Sequence, residues 1–502
     1  MGVETWLLLA TVAVLAWLYS RWRFSYWASR GVASPPALPF IGHLHKSMFI
    51  NKKPWEFQTE LRNRFRDPSM CGLYELFKPV LMVWDIEMLK HILVKDFDHF
   101  TDRRQLSFDS GGHERDKMMM EMLSVKTGPQ WKGLRAIMSP TFTSGKMKSM
   151  YPMVCEKADA LVKFSMNQAT KQPHVDMKTN FGRFTIDTIA SCAFGLECNS
   201  LVNEKAEFPR KAEIFFNLTG VRFLKFIILA VAPKILRTFG ISVNPPETDF
   251  FINAAKATIA ARRAGQKRGD FLDLMLEVLN DSDNPDSKHV LSDTTLVAQC
   301  VLFIIAGYDT TASLLASSSF LLAKNKDEQQ RLRDEVRQIV AEQGDLTYHG
   351  IMENKLLDAC LQETLRLYPP ATGLERSCTK TYTLPGTDLT LEPGDLVQVP
   401  VWGIHHDSRY WPDPDAFIPD RFLPENKSNI QPFTHIPFGM GPRNCLAMRF
   451  ALMEAKVALA KLLLEAELEP APGHEDLVVT GAGGLLRPKD GVKLLLKPLK
   501  EE

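Results

Sequence analysis

Residues 296 to 320, LVAQCVLFIIAGYDTTASLLASSSF, read as one long apolar helix interrupted at its centre by Gly307, Asp309, Thr310 and Thr311. A helix that is apolar around most of its circumference has to be buried by other elements, and an acid with adjacent hydroxyls at its midpoint is costly there unless paired. The rest of the chain supplies the cover. Apolar residues recur at helical spacings of three and four over 148 to 170, 182 to 194, 249 to 265, 270 to 281, 293 to 323, 326 to 343, 354 to 368 and 446 to 466. Strand-like pieces are few and short, such as PVLMVW (79 to 84) and DLVQVPV (395 to 401). The expected fold is mainly α with small β-sheets at its edges, and the apolar share of 45% is that of a protein with ample core.

Charge narrows the function classes. With 60 Lys+Arg against 59 Asp+Glu the formal charge is +1, so nothing global points to nucleic acid or an acidic polymer as a partner. The breaks VNPPETD, NDSDNPDSKH and EPAPGHED are loop-sized rather than interdomain linkers.

The N-terminus departs from the globule. Trp6 to Tyr19, WLLLATVAVLAWLY, carries no charge; Arg21, Arg23 and Arg30 follow it and Glu4 precedes it. A cleaved signal peptide has its positive charge in front of the apolar run, so this order reads as a signal-anchor, and the positive-inside rule leaves the rest of the chain in the cytosol. The run is somewhat short of the roughly 20 residues of a full span, but Trp6, Trp17, Tyr19 and Trp22 are placed for the headgroup level. Residues 1 to 24 are thus expected to be a membrane anchor. Residues 25 to 45, with GVASPPALPFIG (31 to 42), are expected to form a stiff, proline-rich hinge. A cytosolic chain would leave the sequons Asn217-Leu-Thr219 and Asn426-Lys-Ser428 unused. Residues 215 to 241, apolar with Arg222, Lys225, Lys234 and Arg237 interspersed, are either a core helix pair or a second membrane contact lying in the interface.

Eight cysteines have neither the C-x-x-C spacing of zinc or redox sites nor the density of a disulfide scaffold, so most read as reduced core residues. Cys445 is placed differently. It sits in FGMGPRNCLAMRFA (438 to 451), after Gly439 and Gly441 and at the expected first turn of a helix, where unpaired N–H groups and the dipole stabilise a thiolate. One cysteine cannot close a zinc site, so a cofactor that brings its own equatorial ligands, such as haem, fits better. Arg443 could neutralise a carboxylate on it. In the long helix, Thr310 can bond back to the carbonyl of Ala306 and loosen the ladder, which would admit water and a proton path; the plain alternative is a back-bonded threonine beside a solvated aspartate. Glu363 and Arg366 in ETLRLYPP share one helix face.

In combination these segments resemble the cytochrome P-450 superfamily. F-x-x-G-x-R-x-C is met by Phe438, Gly441, Arg443 and Cys445, A-G-x-D-T-T by Ala306 to Thr311, and E-x-x-R by Glu363 and Arg366; FIPDRF (417 to 422) is similar to the segment whose arginine, here Arg421, joins Glu363 and Arg366 in a buried network. FTDRR, WKGLRAIMSPTFTSGKMKSM, GLERSC and GLLRPKDGV resemble the microsomal branch containing vertebrate 3A enzymes, and YWASRGV resembles arthropod members. The usual glycine two residues after the cysteine is here Ala447.

The resemblance implies the P-450 fold over 46 to 502 as a haem-thiolate catalytic domain and haem b (iron protoporphyrin IX) as cofactor. Cys445 would be the axial iron ligand. Arg103, Trp131, Arg135, Arg376 and Arg443 would meet the propionates, and Thr310 with Asp309 would relay protons. The implied activity is insertion of one atom of O2 into a lipophilic small molecule: a xenobiotic, steroid or fatty acid. Electrons would come from NADPH through NADPH-cytochrome P-450 reductase, with cytochrome b5 as a second donor, at the endoplasmic reticulum membrane and on its cytoplasmic side. Lys132, Lys146 and Lys148 fall where the family faces its reductase. The expected substrate-lining segments are 104 to 126, 300 to 311, 370 to 376 and 480 to 485, the first with the methionines of DKMMMEML. A haem-thiolate isomerase is the rival enzyme, disfavoured by the acid-threonine pair; a haem protein that only sequesters ligands is the non-catalytic rival.

Overall fold

The computed structural model describes residues 2–48, 52–65, 69–105, 112–203, 205–216, 220–231, 233–266, 268, 270–280, 291–482 and 485–499. Two compact units divide the chain: Met1–Arg104, Ala371–Pro414 and Gln431–Asn444 form one, and Gln105–Pro370, Asp415–Ile430 and Cys445–Glu502 the other.

The first unit opens with helix α1, Val3–Arg23. At 1.5 Å per residue it is about 30 Å long, the thickness of a bilayer's hydrocarbon core, and 6% of its apolar window is buried. The segment that follows is held along its length. A short 3-10 turn at Ala28–Arg30 precedes the prolines, and Trp27 is fully buried. Its indole Nε1–H donates to the Leu73 carbonyl at 2.9 Å and its backbone N–H to Tyr74 Oη at 3.0 Å. The backbone of Gly72 lies against this ring, where a Cβ would stand 2.2 Å from it. A four-stranded sheet carries the unit: β1 (Met70–Glu75), β2 (Lys78–Val83), β3 (Leu374–Ser377) and β4 (Leu396–Val399), in the order β1-β2-β4-β3. β1 and β2 form an antiparallel hairpin, β2 and β4 run parallel, and β3 returns antiparallel with Arg376 opposite Val397. The strand expected over 395 to 401 stops at Val399. Pro400 ends it, and Val401–His405 turns into a short helix.

The second unit is helical. α2 (Gly128–Met138), α3 (Ser144–Ala169), α4 (Met177–Ile189), α5 (Asp293–Lys324), α6 (Lys355–Leu367) and α7 (Met448–Glu465) carry the residues that matter below. Thr248–Arg263, Phe271–Asn280 and Lys326–Gln343 fall within two residues of the spans expected from the apolar period. α5 is long and apolar enough to cross a membrane, yet 72% of its apolar window is buried, which makes it a core helix. Ser292 caps it, accepting from the Thr295 N–H at 3.1 Å. α4 starts five residues before the expected 182, because Asp176 caps it from the end of a strand, and its last turn widens at Ala190–Phe194 into a π-helical turn. Glycines let α4 and α5 approach closely: a Cβ on Gly182 would lie 3.1 Å from Tyr308, and one on Gly307 would lie 3.3 Å from Ile189.

The segment 215 to 241 forms two helices, Val221–Val231 and Pro233–Thr238. Leu229 and Leu236 are buried in one small cluster, while Val221, Leu224, Ile235 and Phe239 are exposed. The Asn217–Thr219 sequon and the lining positions 106–111 and 483–484 lie outside the described residues. Of the methionines in DKMMMEML, Met118 and Met122 are buried.

Candidate active site

The cysteine loop is shaped by its glycines. Gly439 and Gly441 have φ of +73° and +72°, the left-handed region that side chains disfavour. Turns close at Gly439 N–H to the Ile436 carbonyl and at Asn444 N–H to the Gly441 carbonyl, both 3.0 Å. A Cβ on Gly441 would lie 1.8 Å from the carbonyl oxygen of Leu93, so this motif glycine is fixed by packing as well as by conformation. Cys445 follows, exposed. It stands three residues before α7 rather than in its first turn, because Ala447 is still non-helical (φ −94°, ψ 18°) and the first helical bond is Ala451 N–H to the Ala447 carbonyl at 2.9 Å. An L-residue adopts that φ without strain, so alanine in place of the usual glycine costs no backbone energy. The helix dipole therefore acts on Cys445 from a greater distance than expected. Arg135 of α2 is a cation that feels the thiolate: burial lowers the guanidinium's pKa and the Cys445 charge opposes that shift. Trp131, one turn earlier on α2, is buried. The remaining seven cysteines are free, and five of them are buried.

In the first unit Arg103, Arg376 and Arg443 come together. Arg376 and Arg443 are buried at 1% and 5% exposure, and Asp102 lies 3.8 Å from Arg443. Burial first, then the like charges of Arg103 and Arg443, push the Arg376 pKa down to about 9. Its Nη1–H donates to the Glu375 carbonyl at 2.9 Å, while its buried Nε–H has no partner among the described residues. A buried, unpartnered guanidinium N–H beside two further arginines suits an anion as its partner. Phe438 is half-buried in the loop that leads to Arg443.

At the middle of α5 the burial pattern changes. Ala306 is exposed and Gly307 and Thr310 are half-buried, although the flanks of the helix are buried. Thr310 Oγ1 donates to the Ala306 carbonyl at 2.7 Å, and the Tyr308 carbonyl accepts from Thr185 Oγ1 at 2.9 Å. Asp309 is not solvated: it is 4% exposed, and Lys178 Nζ of α4 donates to its Oδ1 at 2.7 Å. Both line a cavity of about 890 Å³ shared with Arg183, Glu213, Tyr308 and Arg487. Lys178 was invisible to sequence reading, since nothing in its own neighbourhood pairs it with an acid far along the chain.

Glu363, Arg366 and Arg421 also meet. Both residues of the α6 pair are fully buried, with Arg366 Nε and Nη2 donating to the two Glu363 oxygens at 2.7 and 2.8 Å. Arg421 Nε approaches Glu363 Oε1 at 3.4 Å. The Ile418 N–H also donates to that oxygen at 3.0 Å, and Arg366 Nη2 donates to the Ala416 carbonyl at 3.0 Å. The pair therefore fixes the chain before Arg421.

A family profile described as Cytochrome P450 matches residues 32–496. The chain belongs to the cytochrome P450 family. It is 37% identical over 487 residues to cytochrome P450 9e2 of Blattella germanica, covering 91% of each protein. It is 35% identical to cytochrome P450 3A41 of Mus musculus and 34% identical to cytochrome P450 3A5 of Homo sapiens. Those two alignments cover 99% and 98% of this chain and 97% and 96% of the relatives. As a cytochrome P450 it is a monooxygenase oxidoreductase whose cofactor is haem, and its mainly helical fold with small sheets is that of the family. The residues present suit such a group: an exposed cysteine on a glycine-fixed loop for the iron, and an arginine cluster with an unpartnered buried Nε–H for its carboxylates.

Proposed function

We propose that this P450 hydroxylates lipophilic small molecules, xenobiotics, steroids or fatty acids, with electrons delivered from NADPH by NADPH-cytochrome P450 reductase and cytochrome b5 as a second donor. The observation that carries the reading is the pair at the centre of α5, a hydroxyl on the open face of the helix next to an acid buried against a lysine. When bound, haem supplies activation of O2 and transfer of one oxygen atom to a C–H bond, a double bond or a heteroatom. Cys445 would hold the iron as a thiolate, Arg103, Trp131, Arg135, Arg376 and Arg443 would hold the carboxylates, and Phe438 and Ala306 would contribute to binding the group. The Thr310 hydroxyl, exchanging its bond to the Ala306 carbonyl for one to water, keeps a proton donor in place on the open face. Asp309 takes protons from water in the adjoining cavity, with Lys178 balancing its charge. Glu363, Arg366 and Arg421 hold the surrounding fold rather than the reactants.

Residues 1 to 24 serve as the anchor in the endoplasmic reticulum membrane, 25 to 45 as the connecting segment, and 46 to 502 as the catalytic domain on the cytoplasmic side. The arginines after the apolar run support that orientation. Exposed Val221, Leu224, Ile235 and Phe239 support a second, interfacial contact with lipid. Lys132 and Lys148 are exposed and Lys146 half-buried, in keeping with a reductase-facing patch.

The test is spectroscopic and then enzymatic. Membranes holding the wild type should give the red-shifted ferrous carbonyl band of a thiolate-ligated haem, and Cys445→Ala should lose it in folded protein. With reductase, NADPH consumption should accompany an oxygenated product; turnover of a lipid hydroperoxide without NADPH, and no NADPH-dependent product, would favour the isomerase instead.

A further inference from the structure

Residues 102 to 104 run antiparallel beside β3. Asp102 bridges to Ser377, whose N–H donates to the Asp102 carbonyl at 2.8 Å, and the Arg104 N–H donates to Glu375 Oε1 at 3.2 Å. This register sets Arg103 opposite Arg376 and Arg104 opposite Glu375. Neighbouring side chains of an extended chain face opposite sides, and burial shows which is which: Arg376 is turned inwards at 1% exposure, while the Glu375 and Arg104 side chains are each 22% exposed.

The inner face thus holds two guanidinium groups across from one another. Like charges directly opposite repel, most strongly where water is excluded, so this pair does not hold itself. The outer face supplies the attraction. Arg104 Nε donates to both oxygens of Glu375 at 3.1 and 3.2 Å, and Nη2 donates to Oε2 at 2.5 Å. Arg104 Nη1 pairs with Glu75 at the end of β1, which also accepts from Gln398 Nε2 at 2.9 Å. One fork therefore ties the 102 to 104 segment, β3 and β1 together.

We propose that Arg104, closed by Glu375 and Glu75, is a positioning residue that holds Arg103 and Arg376 side by side, so that a receiver for the haem carboxylates is formed before the cofactor arrives. The proposal rests on the reading above that Arg103 and Arg376 meet those carboxylates. Arg104 acts through its chain neighbour. A partly exposed ion pair contributes little to global stability, so its loss should appear in cofactor retention and leave the fold in place.

The experiment follows transfer of haem from the loaded full-length protein to excess apo-globin, with circular dichroism confirming the folded state at the assay temperature. Arg376→Gln, Arg104→Gln and Glu375→Gln should each speed haem loss, the last two by about tenfold, the scale of one charge-assisted hydrogen bond. The exchanged double variant Arg104→Glu/Glu375→Arg should recover most of the retention. If Arg376→Gln speeds loss while Arg104→Gln and Glu375→Gln stay at the wild-type rate, the clamp is wrong and the carboxylate reading survives. If Arg376→Gln also leaves the rate unchanged, that reading fails and the clamp with it. Should Arg104→Gln not fold, Glu375→Gln and the exchanged variant carry the comparison, and an exchanged variant that folds but loses haem as fast as Glu375→Gln overturns the proposal.

Discussion

Lys178 on α4 and Asp309 on α5 stand 2.7 Å apart, with side chains 13% and 6% exposed, at the wall of the cavity that also admits Arg183 and Arg487. The lysine ammonium is the donor that compensates the burial of this carboxyl group. Replacing Lys178 with methionine should leave the buried acid without its cationic partner and slow proton delivery. The expected result is product formation reduced about tenfold or more, with a larger solvent isotope effect on turnover. Unchanged turnover and isotope effect would remove Asp309 from the proton path.

Thr310→Ala deletes the hydroxyl that bonds the Ala306 carbonyl without altering the core. Uncoupling is the expected outcome: NADPH is still consumed, but peroxide per NADPH rises severalfold. Equal coupling in wild type and variant would count against a role for this hydroxyl.

Glu363→Gln leaves Arg366 charged and fully buried with its acid gone. Breaking a buried pair from one side costs roughly 3 to 5 kcal/mol. Urea unfolding should show a loss of that order, and the yield of haem-loaded protein should fall with it.

Glu454 on α7 is 2% exposed and its Oε1 has no partner among the described residues. Burial raises its pKa well above the ordinary 4.5, so the acid is kept protonated in the fold. The unfolded chain releases that proton as pH rises past about 4.5, whereas the folded chain retains it up to its raised pKa, so in this interval the group's contribution to stability falls with pH. Glu454→Gln should match the wild type near pH 4 and become the more stable protein at neutral pH, by up to about 1.4 kcal/mol per pH unit. A stability difference that does not change with pH would show that Glu454 ionises normally.

The two loop glycines separate conformation from packing. Gly439→Ala meets nothing closer than 3.7 Å and bears the cost of a positive φ, about 1 to 2 kcal/mol. Gly441→Ala bears the same cost and also drives a methyl into the Leu93 carbonyl. Haem content after expression should fall modestly for the first and nearly to zero for the second.

The spacing of apolar residues carried the helices because period and burial coincide along α5, α6 and α7. What failed were the ends: α4 begins at a cap that belongs to a strand, and Cys445 lies outside α7 because Ala447 stays out of the helical region. The motif residues were legible, since Cys445, Thr310 and Glu363 each sit in a pattern of neighbours. Their partners were not. Lys178, Glu75 and Leu93 act across chain separations no local pattern spans, and the arginine pair of 103 and 376 becomes a unit only through the register of β3 with a segment that is not itself a strand.

The buried Trp27 bears on how this protein can be prepared. A truncation that removes residues up to Arg23 takes away the apolar helix but keeps the indole, its bonds to Leu73 and Tyr74 and the packing on Gly72. Removing Trp27 as well would uncover the space over Gly72 and take these two donors away from the Leu73 carbonyl and Tyr74 Oη. The trimming point for a water-soluble version thus lies in a window of three residues, between Arg23 and Trp27.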